Sequence, residues 1–172
     1  MSRTIIINLL RFVIVVFIQV FLLKNIGLYD MPSPYFYILF ILLLPFNVPN
    51  LLLFVLAFIL GLTIDAFYDT PGLNAAASVL LAFVRILFIS ITVQKEGFDN
   101  EPEPTLGIMG FRWFFTYAAI LTVIHHFFLF NLEAFSLSQF ESTISRVLLS
   151  SLFTVFLILI SGLLFFKRKE RK

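Results

Sequence analysis

Apolar stretches follow one another along almost the whole chain, near residues 5–23, 35–48, 50–66, 74–93, 108–131 and 143–166, parted by short breaks of Pro, Asn, Asp or charge. A bilayer core of about 30 Å takes about 20 apolar residues per helix, so a chain of 172 residues patterned this way has room for six spans and little else. With 60% hydrophobic and 13% charged residues, its composition lies outside that of water-soluble domains. The expected fold is an all-α integral membrane protein: one transmembrane domain over residues 1–172, built as a compact bundle of six helices.

The run from Ile5 to Leu23 exceeds the apolar region of a secretion signal, and no small-x-small cleavage site follows, so it reads as a retained helix. Tyr35 to Val48 would rise only about 20 Å as an α-helix, so the second span is expected to be short, crossing a thinned bilayer or re-entering it. Asn47, Val48, Pro49 and Asn50 make so short a turn that the second and third segments read as a helical hairpin.

Six spans put both termini on one side, together with the 47–50 turn and the 94–107 loop. Arg3, Lys95, Arg112 and the basic tail at 167–172 lie on that side, against Lys24 and Arg146 on the other. The bias places the N and C termini in the cytoplasm, with membrane lipids as the surroundings of the bundle. The tail, with five basic residues and one acid, turns the chain's charge positive, to +2 overall, and reads as a membrane-side feature; nucleic acid is not an expected partner. Residues 94–107, QKEGFDNEPEPTLG, carry four acids and two prolines and read as a mobile acidic cytoplasmic loop.

Several function classes drop out. Zero cysteines exclude disulfides, thiol nucleophiles, iron–sulfur clusters and Cys zinc sites. The 24 phenylalanines serve as lipid-compatible surface. His125 and His126 are adjacent, so they point about 100° apart on a helix, and no second-turn ligand completes a metal site. There is no G-x-S-x-G, H-E-x-x-H or phosphate-loop motif, so neither an enzyme nor a cofactor is expected. An enzyme acting on lipid-linked precursors would need Asp65, Asp69 or His126 as its acid or base.

Polar residues inside spans are costly in lipid and should face other helices. Asn8, Arg11 and Gln19 fall within an arc of about 80° on the first segment, a packing seam whose Arg11 either snorkels or pairs. Ala57, Gly61 and Asp65 are spaced by four, a small-x-x-x-small pattern that admits close approach of a neighbouring backbone. Thr70 is placed to cap a helix whose first position is Pro71, with Gly72 following, and a carboxylate from Asp65 or Asp69 suits that positive end. Asn74, Ser78, Ala82 and Arg85 share an arc of about 80°, with Arg85 about 16 Å below the segment's start. Arg85 is expected to pair structurally, through helix-end carbonyls or a partner subunit, since Asp65 lies too shallow for a direct bridge. Arg146, Ser150, Thr154 and Ser161 form one broad face of the sixth segment.

Residues 60–85, LGLTIDAFYDTPGLNAAASVLLAFVR, resemble the signature region of the rod-shape-determining protein MreD family. Gly61 and Asp65 match its G-x-x-x-D, and Pro71, Gly72, Leu73, Asn74 and Ala75 match the small-residue approach to its next helix. The 35–50 segment, the chain length, the span count and the basic C-terminus fit in outline; residues 35–85 are the distinctive part, and nothing is carried over beyond them. The resemblance implies a non-enzymatic subunit of the bacterial cell-elongation machinery, pairing with the single-span MreC and linking MreB to RodA and its transpeptidase. That family's fold is also similar to substrate-binding subunits of energy-coupling vitamin transporters, which keeps a small-molecule-binding subunit as the alternative, with Asn74, Ser78 and Arg85 lining its pocket.

Overall fold

The computed structural model describes residues 2–27, 33–93, 103–134 and 140–165; the basic tail and residues 94–102 of the acidic loop lie outside them. Helix α1, Ser2–Phe17, runs on without interruption as a π turn over Ile18–Leu23 and a 3-10 turn over Lys24–Gly27. A 3-10 turn at Phe36–Ile38 leads into the single turn of α2, Leu39–Leu42. Then come α3 (Asn50–Tyr68), α4 (Leu73–Thr92), the short α5 (Leu106–Met109), α6 (Phe111–Ala134) and α7 (Phe140–Phe165). No strand occurs among the described residues.

Five of these helices, covering Thr4–Ile26, α3, α4, α6 and Glu141–Leu164, are long and apolar enough to cross a membrane. Their outward faces suit lipid: Leu9, Val13, Leu51, Phe58, Phe83, Leu152 and Leu163 are all exposed. The interior, in turn, holds Gln19, Asp65, Asn74, Arg85, His125, His126 and Thr154, all buried. Polar groups inside and hydrocarbon outside is the distribution a lipid solvent selects.

The second segment is not the helix expected over 35–48. It is helical only from Phe36 to Leu42 and irregular from Leu43 to Pro49. Pro45 accounts for the stop: it has no N–H to continue the ladder, and its ring pushes Leu44 out of the helical region. The helical hairpin with the third segment is therefore replaced by a broken strut joined to α3 through seven non-helical residues, 43–49. Side chains 35–44 are nonetheless entirely buried, sealed by the surrounding helices.

Contacts fix the direction of this strut. Gln19 bonds Pro34 and Arg11 bonds Leu43, so residues 34–43 run antiparallel to α1. Tyr37 bonds Asn74 and Arg85 bonds Leu44, so they run parallel to α4. The chain thus travels from the Tyr68 end of the bundle to the Asn50 end without a continuous helix. α3 packs along α4, α4 along α6, and α6 along α7.

Other boundaries shift by a few residues. α6 begins at Phe111 rather than 108 because Gly110, at φ +80°, breaks the chain between α5 and α6. α4 begins at Leu73; Pro71 and Gly72 form the turn before it instead of its first residues. Residues 103–107, expected as part of a mobile loop, pack on the bundle: Thr105 is buried, and the Leu106 side chain lies against Gly162 of α7.

Candidate functional site

The residues singled out between 57 and 85 meet where α3 turns into α4. Asp69, at φ +55°, ends α3 in the left-handed conformation, and the N–H groups of Asp69 and Thr70 both return to the Asp65 carbonyl. The Asp65 side chain, meanwhile, serves the other helix. Its Oδ1 accepts the Asn74 N–H at 2.9 Å and the Thr70 hydroxyl at 2.8 Å; its Oδ2 accepts the Ala75 N–H at 2.9 Å.

Asn74 and Ala75 are the second and third residues of α4, the positions an N-cap side chain normally serves. Gly72, at φ +83°, precedes the helix and has no side chain with which to cap it. Thr70, which the sequence places to cap α4 itself, instead donates to Asp65 and accepts from Asn74 Nδ2 at 3.0 Å. The cap comes from the preceding helix, and its negative charge also complements the positive end of the α4 dipole.

Gly61, one turn below Asp65, makes this geometry reachable. A Cβ there would stand 2.4 Å from Ala75 Cα and 2.6 Å from Ala75 N, far inside van der Waals contact. Ala57, the next residue down the stripe, is fully buried as well. Only glycine at 61 brings the α3 and α4 backbones close enough for the Asp65 carboxylate to span the gap.

A polar network extends from this cap. Tyr37 Oη donates to Asn74 Oδ1 at 3.0 Å and lies 3.0 Å from His125 Nε2. One phenolic proton serves the asparagine, which assigns the Nε2 proton to His125 and leaves His125 Nδ1 a buried acceptor with no partner. The Tyr37 N–H donates to Gln19 Oε1 at 3.3 Å, while Gln19 Nε2 donates to Pro34 O at 3.0 Å and Tyr68 Oη at 2.7 Å. Tyr35 N–H donates to Thr154 Oγ1 at 2.9 Å, and Thr154 also meets His126 Nε2 at 3.1 Å. His126 Nδ1 sits 2.8 Å from the Thr122 carbonyl, so that nitrogen carries the proton and Thr154 donates to the other.

Arg85 lies at the far end of the strut. It is 3% exposed, and its acceptors are the Leu44 carbonyl and, at 3.4 Å, the Pro45 carbonyl. Tyr117 Oη donates to Leu42 O at 2.9 Å, and Arg11 donates to Leu43 O at 3.0 Å. The carbonyls left open where α2 stops are thus taken by side-chain donors, two guanidinium groups and one phenol. Arg11 does not snorkel: its Nη2 pairs with Glu103 at 2.8 Å and its Nη1 also meets Asn8 at 3.0 Å.

The structure brings Gly61, Asp65 and Asn74 into one constellation and places Gln19 and Arg85 at opposite ends of the strut they hold. Pro71 stays outside it in the exposed turn, and the Ser78 hydroxyl is buried without a partner. Sequence reasoning missed Tyr37, Tyr117, Glu103 and the structural use of His125 and His126. Tyr37 sits in the run YFYILF, where its phenol looks like apolar filler; a buried tyrosine's need for a hydrogen-bond partner was the available signal. On their exterior, α3 and α4 form an open groove lined by Phe54, Phe58, Leu62, Ala76, Val79 and Phe83.

The site is a helix-packing and hydrogen-bonding constellation in a multi-helix membrane protein. Compared with protein-family models, curated proteins and solved structures, the chain gives no match.

Proposed function

We propose that this chain is a non-catalytic membrane scaffold of the MreD type, serving the bacterial cell-elongation machinery. The observation that carries the reading is the interlock of Gly61, Asp65, Asn74 and Ala75. The residues responsible for the family resemblance make one structural unit, with their polar atoms used in holding helices together. MreC is the proposed direct partner, with MreB, RodA and its transpeptidase beyond it.

In this reading the strut at 33–49 makes a sixth crossing, since the α3 length it retraces rises about 27 Å. Arg11 lies beside Glu103, and Gly162 lies beside Leu106, which favours both termini at one end of the bundle. The Lys and Arg bias assigns that end to the cytoplasm of the inner membrane.

Two observations disfavour the other classes. The Asn74 and Arg85 face, which would line a small-molecule pocket in a transporter subunit, is covered by Tyr37 and by residues 44–45. Of the three candidate acids or bases, both Asp65 oxygens and both His126 nitrogens are engaged in holding helices or the strut, and Asp69 lies exposed at the end of α3.

Mild-detergent purification of the tagged protein from its own cells, with mass spectrometry of the co-purifying proteins, tests the proposal. Recovery of a single-span coiled-coil protein and cell-wall synthases is expected. Recovery of ATPase and coupling subunits would replace the scaffold with the transporter reading. Gly61→Leu should insert in the membrane yet lose those partners; normal assembly would count against the site.

A further inference from the structure

Side chains from four helices hold the buried strut, and they hold it by its backbone. Gln19 and Thr154 take the groups at Pro34, Tyr35 and Tyr37; Arg11, Arg85 and Tyr117 take the carbonyls from Leu42 to Pro45. The strut's own helical bonding amounts to one 3-10 turn and one α turn. In a lipid solvent no backbone group can be left open, so such a segment moves only by exchanging one complete set of partners for another. That makes its positions discrete.

Helix α1 touches both ends of the strut. At one end Gln19 lies inside the π turn Ile18–Leu23, where the Lys24 N–H closes back on Gln19 O and the Tyr68 hydroxyl donates to the same carbonyl at 3.4 Å. A π turn holds about one residue more than an α turn, is rare, and is frequent at functional sites. Its return to α geometry would rotate one side of the helix by about 100° against the other and carry Gln19 away from Pro34 and Tyr37. At the other end Arg11 holds Leu43 and, through Glu103, the packed segment 103–110.

We propose that the buried strut couples the two ends of the bundle, with the π turn of α1 as its joint and the Arg11–Glu103 pair as its output. A change that releases Gln19 at one end loosens residues 103–110 at the other. By thermodynamic reciprocity, a change at Glu103 loosens the strut around Tyr37. The inference deepens the scaffold reading by giving it a route for regulation across the membrane, while the coupling itself needs no partner.

The test is hydrogen–deuterium exchange with mass spectrometry on the full chain in lipid nanodiscs, with no partner added. Three variants are compared with wild type: deletion of the lipid-exposed Phe21, which shortens the π turn by one residue; Gln19→Leu; and Glu103→Gln. The first two should speed exchange about threefold to tenfold both in the strut and in residues 103–110, the scale of one or two lost buried hydrogen bonds. Glu103→Gln should speed it at Tyr35–Ile38. Faster exchange in the strut with residues 103–110 at their wild-type rate would mean independent ends, and no change in the strut would remove the π turn as its joint; either overturns the proposal. Should the deletion or Gln19→Leu fail to fold, Glu103→Gln decides alone, and an unchanged Tyr35–Ile38 overturns it. Failure to capture partners in cells would leave this result standing, so the two proposals fail separately.

Discussion

Asp65 and Asn74 are bonded twice: Asp65 Oδ1 accepts both the Asn74 backbone N–H at 2.9 Å and its side-chain amide at 3.0 Å. A residue on α3 thereby supplies the cap that α4 lacks, and the two helices share one terminus.

Asp65→Asn preserves an oxygen for Asn74 but turns an amide toward the Ala75 N–H, setting donor against donor. The expected loss is about 1–3 kcal/mol of stability, the cost of one buried unsatisfied group. Thermal unfolding in a mild detergent measures it, and Asp65→Ala should lose more because both α4 N–H groups are orphaned.

Gly61 and Gly72 separate two reasons for glycine. At Gly61 the added methyl of alanine would collide with the Ala75 backbone, whereas at Gly72 it would meet nothing within 4 Å and only the positive φ resists it. Gly72→Ala should therefore cost about 1–2 kcal/mol. Gly61→Ala should cost at least the roughly 1–3 kcal/mol of core overpacking and shift the α3–α4 crossing. An unchanged α3–α4 crossing with a Gly61→Ala loss below about 1 kcal/mol would contradict the close approach.

Tyr37→Phe removes the hydroxyl between Asn74 and His125 while keeping the ring in place. A double-mutant cycle with His125→Phe should give a coupling energy of about 0.5–3 kcal/mol, as for residues in one hydrogen-bond network. Additive losses would show that the phenol serves Asn74 alone.

Thr154 and Ser150 are buried hydroxyls on α7 with opposite roles. Thr154 accepts the Tyr35 N–H and meets His126, so Thr154→Val should cost about 1–3 kcal/mol by unfolding midpoint. Ser150 Oγ has no partner, so Ser150→Ala removes a buried unsatisfied hydroxyl and should leave the midpoint unchanged or raise it.

Much of this architecture was legible beforehand because hydropathy acts locally. Five apolar runs became long helices, and the small-residue stripe at Ala57, Gly61 and Asp65 faced inward, since spacing by four fixes a helix face whatever lies opposite. The depth of Arg85 calls for helix-end carbonyls or a partner subunit, and the Leu44 and Pro45 carbonyls meet it. The failures cluster where the partner is distant in sequence. Thr70 had the right chemistry and position for a cap, yet Asp65 took the role from the preceding helix. Glu103 read as part of a free acidic loop until Arg11, 92 residues away, fixed it.

The sequence by itself determined the solvent and the class of fold: apolar runs of these lengths are stable only as helices in lipid, and their polar faces must turn inward. The tertiary structure decided what those polar faces do. Whether residues 35–48 could remain a broken strut depended on side chains from α1, α4, α6 and α7 reaching its open backbone groups. A backbone hydrogen bond unmade within a segment can be supplied from anywhere in the bundle, and local sequence carries no record of where.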